Sequence, residues 1–408
     1  MSAGEAGPAP DSARAWMRLA ASLMLSTIGG VGMWAAVVLL PAVQAEFGVA
    51  RGAASLPYTL MMITFGVSGV VMGRLADRFG IVLPVVIGTV ALALGYAASA
   101  VSASLWQYAL AQGLLVGIGS SATFGPLLAN ISFWFVRRRG IAVAVCASGS
   151  YAAGTLWPPI VQHFIETAGW RQTCLGVGLF CAAGMLPLAL LLRGRSPRVL
   201  GGPLGARTLS GAPRALGISS GALQGLLIVA GTACCVAMAM PQVHIVAYCG
   251  DLGYGAARGA QMLSLMLGCG IVSRLSFGLI TDRIGGLRTL LLGSCLQGLA
   301  LLLFLPFDGL VSLYVISGLF GLFQGGIVPS YAIIVREYFP PAEAGARVGT
   351  VIMATLFGMA LGGWMSGAVF DATGSYKAAF LNGILWNLLN VSIASWLLRR
   401  AGTRRALA

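Results

Sequence analysis

Charge is scarce in this sequence: 9% of its 408 residues are Asp, Glu, Lys or Arg, against 58% that are hydrophobic, and there are two histidines. Soluble domains carry roughly 25% charged residues, so a chain this long and this poor in charge is excluded as a water-soluble enzyme. Disorder is excluded as well, because the chain has ample apolar surface to bury. Enzyme signatures are missing: there is no phosphate-binding Walker loop, no His-Glu-x-x-His and no Ser-His-Asp constellation. The eight cysteines (Cys146, Cys174, Cys181, Cys234, Cys235, Cys249, Cys269, Cys295) show no CxxC spacing. They read as small buried hydrophobes, not as zinc ligands or disulfide partners. No cofactor is expected, metal included.

What is present is apolar sequence in long runs. Stretches near the ~20 residues that cross a hydrocarbon core fall at about twelve places: 17–43, 53–74, 81–102, 105–135, 140–165, 170–193, 219–247, 259–281, 287–306, 311–336, 347–369 and 378–398. The expected fold is therefore an all-α membrane protein of twelve transmembrane helices. Residues 1–16 form a polar tail containing Glu5 and Asp11. The apolar stretch that follows is longer than the core of a secretory leader, so the first span is expected to remain.

The formal net charge of +14 would suggest a nucleic-acid partner in a soluble chain. Its placement argues otherwise. With both termini inside, twenty of the 25 basic residues fall on the inner side, including Arg137, Arg138 and Arg139. Four fall outside: Arg51, Arg171, Arg258 and Lys377. Inner loops retain Lys and Arg, so the bias sets the orientation and makes the lipid bilayer the partner. The remaining one, Arg274, lies inside a span.

Residues 194–216, rich in Gly, Pro and Arg, read as a cytoplasmic linker. It separates a six-helix bundle at 17–193 from a second at 217–398, with tails at 1–16 and 399–408. Both halves carry G-x-x-x-D-R-x-G at their second inner loop, as GRLADRFG at 73–80 and GLITDRIGGLR from 278 to 288. Glycine permits a tight turn there, and Asp and Arg suit helix ends. With the twelve spans and the central basic loop, this duplicated motif resembles the major facilitator superfamily over nearly the whole chain. The resemblance implies two bundles that alternate around a central site. It gives Asp77, Arg78, Asp282 and Arg283 the role of an inner gate. An ordinary solvated turn accounts for the same four residues.

All eleven carboxylates fall at span ends or in loops: Glu5, Asp11, Asp77, Asp282, Glu337 and Glu343 inside, and Glu46, Glu166, Asp251, Asp308 and Asp371 outside. Arg274 is thus the exception among charged residues. Eight residues of helix separate it from Asp282, which sets it ~12 Å from the loop. Burying it costs at least ~2.5 kcal/mol, and its planar fork matches a carboxylate. The expected role is an anion site, because Gly270, Ser273 and Ser276 around it suggest a helix packed against protein; the alternative is a side chain snorkelling to the inner interface.

Span seven ends PQVHIVAYCGDLG at 241–253, spans four to five read WFVRRRGIAVAVCASGSYAAG at 134–154, and Arg274 is followed by Leu-Ser-Phe-Gly-Leu. These segments resemble the monocarboxylate transporter and oxalate/formate antiporter group. The resemblance implies that Arg274 binds the substrate carboxylate and that His244 and Asp251 handle a proton. The sequence departs from that group at Gly270, where animal members place Asp, and in MLSTIGGVGMW and TLFGMALGG, where others place lysine. One guanidinium suits one carboxylate.

Tyr151, Thr123, Gln324, Tyr331 and Phe357 are expected to line the site with Arg274, although helix packing explains each of them singly. The reading is a proton-coupled symporter of small organic anions, acting as a monomer in a bacterial inner membrane with both termini cytoplasmic. An organic anion exchanger, a nitrate-type porter and a non-transporting membrane sensor remain open alternatives.

Overall fold

The computed structural model describes residues 11–194 and 216–405. Most of the expected linker, and the residues at either extreme of the chain, fall outside that range. Among the described residues the structure is helical, with no strand. Lipid offers no water to unsatisfied amides, so a crossing segment must close its backbone hydrogen bonds on itself, as a helix does.

Among the described residues, twelve helical stretches are long and apolar enough to cross a membrane. Spans 1 to 6 are Ala13–Phe47, Arg51–Phe79, Val82–Ala100, Leu105–Ser132, Gly140–Ala168 and Trp170–Leu191. Spans 7 to 12 are Ser220–Asp251, Ala256–Ile284, Gly286–Leu303, Leu310–Tyr338, Glu343–Thr373 and Tyr376–Ala401. Each matches an expected run and most extend beyond it, because amphipathic end turns continue a helix past its apolar core. Four are interrupted. Span 1 pauses at Gly30 and span 2 at Ser55. Span 4 contains a π-helical turn at Ala111–Val116 and breaks again around Thr123 and Phe124. Span 10 pauses at Gly325 and Gly326 before resuming at Ile327.

The chain packs as two compact units, one of residues 1–39 and 63–204 and the other of residues 40–62 and 205–408. The end of span 1 and the start of span 2 therefore group with the second unit.

In the first unit, spans 3 and 6 pack along each other, as do spans 1 and 5. Arg18 is 1% exposed. Its guanidinium donates to the carbonyls of Leu192 at 2.8 Å and Arg193 at 3.0 Å and lies over the Trp134 ring. It thereby satisfies orphan carbonyls at the end of span 6. Ahead of span 1, Asp11 donates its amide to the Trp134 carbonyl, and its carboxylate accepts from the amides of Val136 and Arg137. Those amides hold the Asp11 carboxyl below its ordinary range.

In the second unit span 7 is the core: from Ala233 to Cys249 every residue is buried, against spans 11, 12 and 8. Apolar residues such as Leu275, Leu279, Val311, Val315, Leu385 and Leu388 are exposed, as a lipid-facing surface requires.

The duplicated motif has the same local geometry in both units. Gly80 and Gly285 have φ of 84° and 82°, a region that L side chains avoid. Each amide closes the last turn of its helix, on Ala76 and Thr281 respectively. The glycine is needed because the helix stops there and turns at once into the next span.

Candidate functional site

A cluster of charged side chains lies in the second unit, where span 7 ends and span 2 begins. Arg51 opens span 2 and is 8% exposed. Its Nη1 and Nη2 donate to Asp251 Oδ2 and Oδ1 at 2.9 and 3.2 Å, a two-pronged pairing that fixes direction as well as charge. Nη1 also donates to the Tyr376 hydroxyl, and the guanidinium sits 4.7 Å from the Phe370 ring centroid. Asp371, at the end of span 11, receives the backbone amides of Arg51 at 2.8 Å and Gly52 at 2.7 Å, one on each oxygen. A helix start leaves amides unsatisfied and partially positive, so a carboxylate there is doubly favourable.

His244 is fully buried beneath this cluster. Its Nε2 lies 2.8 Å from the Gly363 carbonyl oxygen; a carbonyl only accepts, so Nε2 carries hydrogen. Nδ1 faces the Tyr376 hydroxyl at 3.5 Å. Asp251, Arg51, Tyr376 and His244 therefore form one continuous polar chain, from a carboxylate that is 39% exposed to a fully enclosed imidazole.

Arg274 lies in span 8 and is half-buried. Its neighbour Ser273 is buried and accepts the Gly325 amide at 3.1 Å, which ties this turn to the break in span 10. Gln324 stands at that break and accepts from Gln242 Nε2 at 2.7 Å. Tyr331 is 0% exposed and donates to Asn390 Oδ1 at 2.9 Å, while Asn390 donates to the Ser294 hydroxyl at 2.7 Å. Phe357 on span 11 is exposed.

In the first unit Thr123 is buried and donates to the Ser120 carbonyl at 2.8 Å. Tyr151 is half-buried on span 5, next to Ser150, whose carbonyl receives the Trp34 indole at 3.0 Å. Asp77, Arg78, Asp282 and Arg283 are all exposed, and Arg78 rests on the Phe79 ring.

The structure thus brings Asp251 and His244 into one network and places Arg274 one residue from the Ser273 contact to the Gly325 amide. Sequence reasoning missed Arg51, Asp371 and Tyr376 as members of the first cluster. Their only signal was position at span ends, where charge is ordinary.

Comparison with known proteins adds independent information. The sequence profile of the Major Facilitator Superfamily matches residues 23–316 and 266–407. Monocarboxylate transporter 13 of Bos taurus is 29% identical over 318 residues, 75% of this chain and 71% of that protein. Human monocarboxylate transporter 11 is 27% identical over 391 residues, 92% and 81% of the two chains. The MFS-type transporter pynF of Aspergillus niger is 24% identical over 372 residues, 90% and 84% of the two chains. Among solved structures, the nucleoside transporter NupG superposes with a TM-score of 0.70 at 14% identity, covering 94% of this chain and 99% of that one. A bacterial homolog of the human lysosomal transporter Spinster gives 0.69 at 12%, covering 96% of both.

Proposed function

The chain belongs to the major facilitator superfamily, and from that premise we propose that this multi-pass membrane transporter is a proton-coupled symporter of small monocarboxylates. The observation that carries the proposal is the half-buried guanidinium of Arg274 inside a spanning helix. A guanidinium presents two parallel donors to one carboxylate, and a charge kept within a span marks a ligand pathway by default. Several relatives are named as monocarboxylate transporters, which supports the same class. Tyr151, Thr123, Gln324, Tyr331 and Phe357 are the proposed supporting contacts.

Moving an anion inward against the membrane potential costs ~2.3 kcal/mol per charge per 100 mV. A proton carried with it removes that cost. His244 and Asp251, at the two ends of one polar chain, are the proposed proton-handling residues. Asp77, Arg78, Asp282 and Arg283 are proposed to act at the opposite end of the cycle as an inner gate. The bias of basic residues supports cytoplasmic termini, and a bacterial inner membrane and a monomeric carrier complete the proposal.

The test is ligand-induced thermal stabilisation of the purified chain by lactate, pyruvate and benzoate. Stabilisation of the parent is expected, with its loss in Arg274→Ala and at least ~10-fold weaker apparent affinity in Arg274→Lys, which keeps charge without the fork. Equal stabilisation in parent and Arg274→Ala would sink the assignment. Uptake that is unaffected in both His244→Ala and Asp251→Asn would remove the proton-coupling residues. Uptake that occurs only against internal substrate, and ignores a collapsed pH gradient, would mark an exchanger.

A further inference from the structure

We propose that Arg51, Asp251 and Asp371 form a latch that docks the start of span 2 onto spans 7 and 11, and that this latch must release whenever that end of the transporter opens. The inference rests on the transport reading only in requiring a carrier that opens and closes. It needs neither Arg274 nor any particular substrate.

Two carboxylates from distant parts of the chain grasp one helix start through different groups. Asp251 takes the guanidinium of Arg51, and Asp371 takes the main-chain amides of Arg51 and Gly52. The first contact reads side-chain identity. The second needs only a helix end, so the two hold independently.

Beneath them the backbones touch directly. A Cβ added at Gly367 would lie 2.9 Å from the Arg51 carbonyl oxygen, the Gly52 Cα and the Gly52 amide nitrogen. At Gly363 it would lie 3.0 and 3.1 Å from two atoms of the Tyr58 ring. Glycines one turn apart on span 11 thus form the seat, and the Thr59 hydroxyl reaches the Ala360 carbonyl at 3.2 Å one turn further on. Backbone packed on backbone has no side-chain cushion to deform, so the contact is either made or broken.

The chemistry also favours reversibility. A permanent staple buries both partners of an ion pair. Here Arg51 is enclosed while the Asp251 side chain is 39% exposed, and Asp371 is exposed. All three stand at span ends, where water can replace each hydrogen bond on release, instead of at the midplane, where none could. The remaining groups around the guanidinium are Tyr376, Phe370 and, beyond them, His244 and Tyr248. Among the described residues, none of these groups adds a carboxylate to the two that already hold this helix start.

The test reads access to Ser55, which is 0% exposed and one turn from Arg51, its hydroxyl donating to the Arg51 carbonyl. In Ser55→Cys chains reconstituted in nanodiscs, with both faces open to solvent, modification by a membrane-impermeant maleimide is timed against the chain's own thiols. Slow labelling is expected in the otherwise unchanged protein, and labelling about ten-fold faster or more when Asp371→Ala or Arg51→Gln is added. Glu343→Gln, which breaks the ion pair with Arg347 elsewhere in the unit, should leave the rate unchanged. Should Arg51→Gln fail to fold, Asp371→Ala decides alone, because it leaves the guanidinium pair intact. Unchanged labelling in Asp371→Ala, or equal acceleration by Glu343→Gln, overturns the latch. A failed ligand response in Arg274→Lys has no bearing on this readout.

Discussion

Arg51 and Asp251 stand 200 positions apart in sequence, yet they meet through two parallel hydrogen bonds, Nη1 to Oδ2 at 2.9 Å and Nη2 to Oδ1 at 3.2 Å. The pair orders the junction of spans 2, 7, 11 and 12 within the second unit. Its worth is set by an enclosed cation and a partly solvated anion. Removing a partner from a fully buried pair costs ~3–5 kcal/mol, and an exposed pair is worth at most ~1 kcal/mol.

Arg51→Ala should therefore destabilise more than Asp251→Asn. It gives up the Asp251 pairing, the Tyr376 contact and the Phe370 stack together, whereas Asp251→Asn retains an acceptor. Thermal unfolding in detergent should place Asp251→Asn at about 1–2 kcal/mol and Arg51→Ala above it. A double-mutant cycle should return a coupling of about 1 kcal/mol or more. Strictly additive changes would show that the pairing contributes nothing.

Gly367→Ala tests the backbone contact. The new methyl would meet three atoms at 2.9 Å, all of them main chain or Cα, and overpacking of that kind costs ~1–3 kcal/mol. Gly73→Ala, on span 2, meets nothing within 4 Å and should be neutral or stabilising by up to ~1 kcal/mol, because alanine favours the helix. The two melting temperatures should move apart. Parallel shifts would contradict the seat on span 11.

Tyr331→Phe removes a hydroxyl that is buried and bonded to Asn390 Oδ1 at 2.9 Å. It leaves a buried acceptor facing a ring edge, which costs ~1–3 kcal/mol. The paired change Tyr331→Phe with Asn390→Leu should recover part of that loss. Substrate affinity separates packing from ligation: a carrier destabilised with unchanged KM marks Tyr331 as architecture, and a raised KM marks it as a contact.

Asp11 supplies a pH test outside the spans. Its carboxyl is held below the ordinary value of 3.8 by the amides of Arg137 and Val136. A group depressed in the folded state contributes stability above its unfolded pKa and loses it as pH falls through the folded value. The attachment of the segment before span 1 should therefore be complete at neutral pH and weaken below about pH 4. Asp11→Asn should lack this acid limb, and proteolytic nicking ahead of Ala13 followed from pH 7 to pH 3 with an acid-tolerant protease would reveal it. Identical profiles for parent and variant would refute the attachment.

The spans were legible because lipid imposes one rule on every residue it meets. The twin motif was legible as well, since Gly80 and Gly285 must adopt a conformation that few other residues tolerate. The Arg51 cluster was not. Nothing local distinguishes Arg51 from Arg171 or Arg258, because its partners arrive only when the second unit assembles. Arg18 was hidden in the same way: counted among inner basic residues, it is in fact 1% exposed and spent on carbonyls at the end of span 6. Interruptions in spans 4 and 10 escaped for the opposite reason, since hydropathy averages across a break without registering it.

The wide turn at Ala111–Val116 has a practical outcome for any scanning experiment along span 4. One additional residue in the coil sets every later side chain back by about 100° relative to an unbroken 3.6-residue wheel. Ser120, Ser121 and Thr123 consequently point where a simple helical projection would draw their predecessors. A periodicity fitted to positions before Ala111 must be re-phased after Val116, or it will sort lipid-facing positions with interior ones.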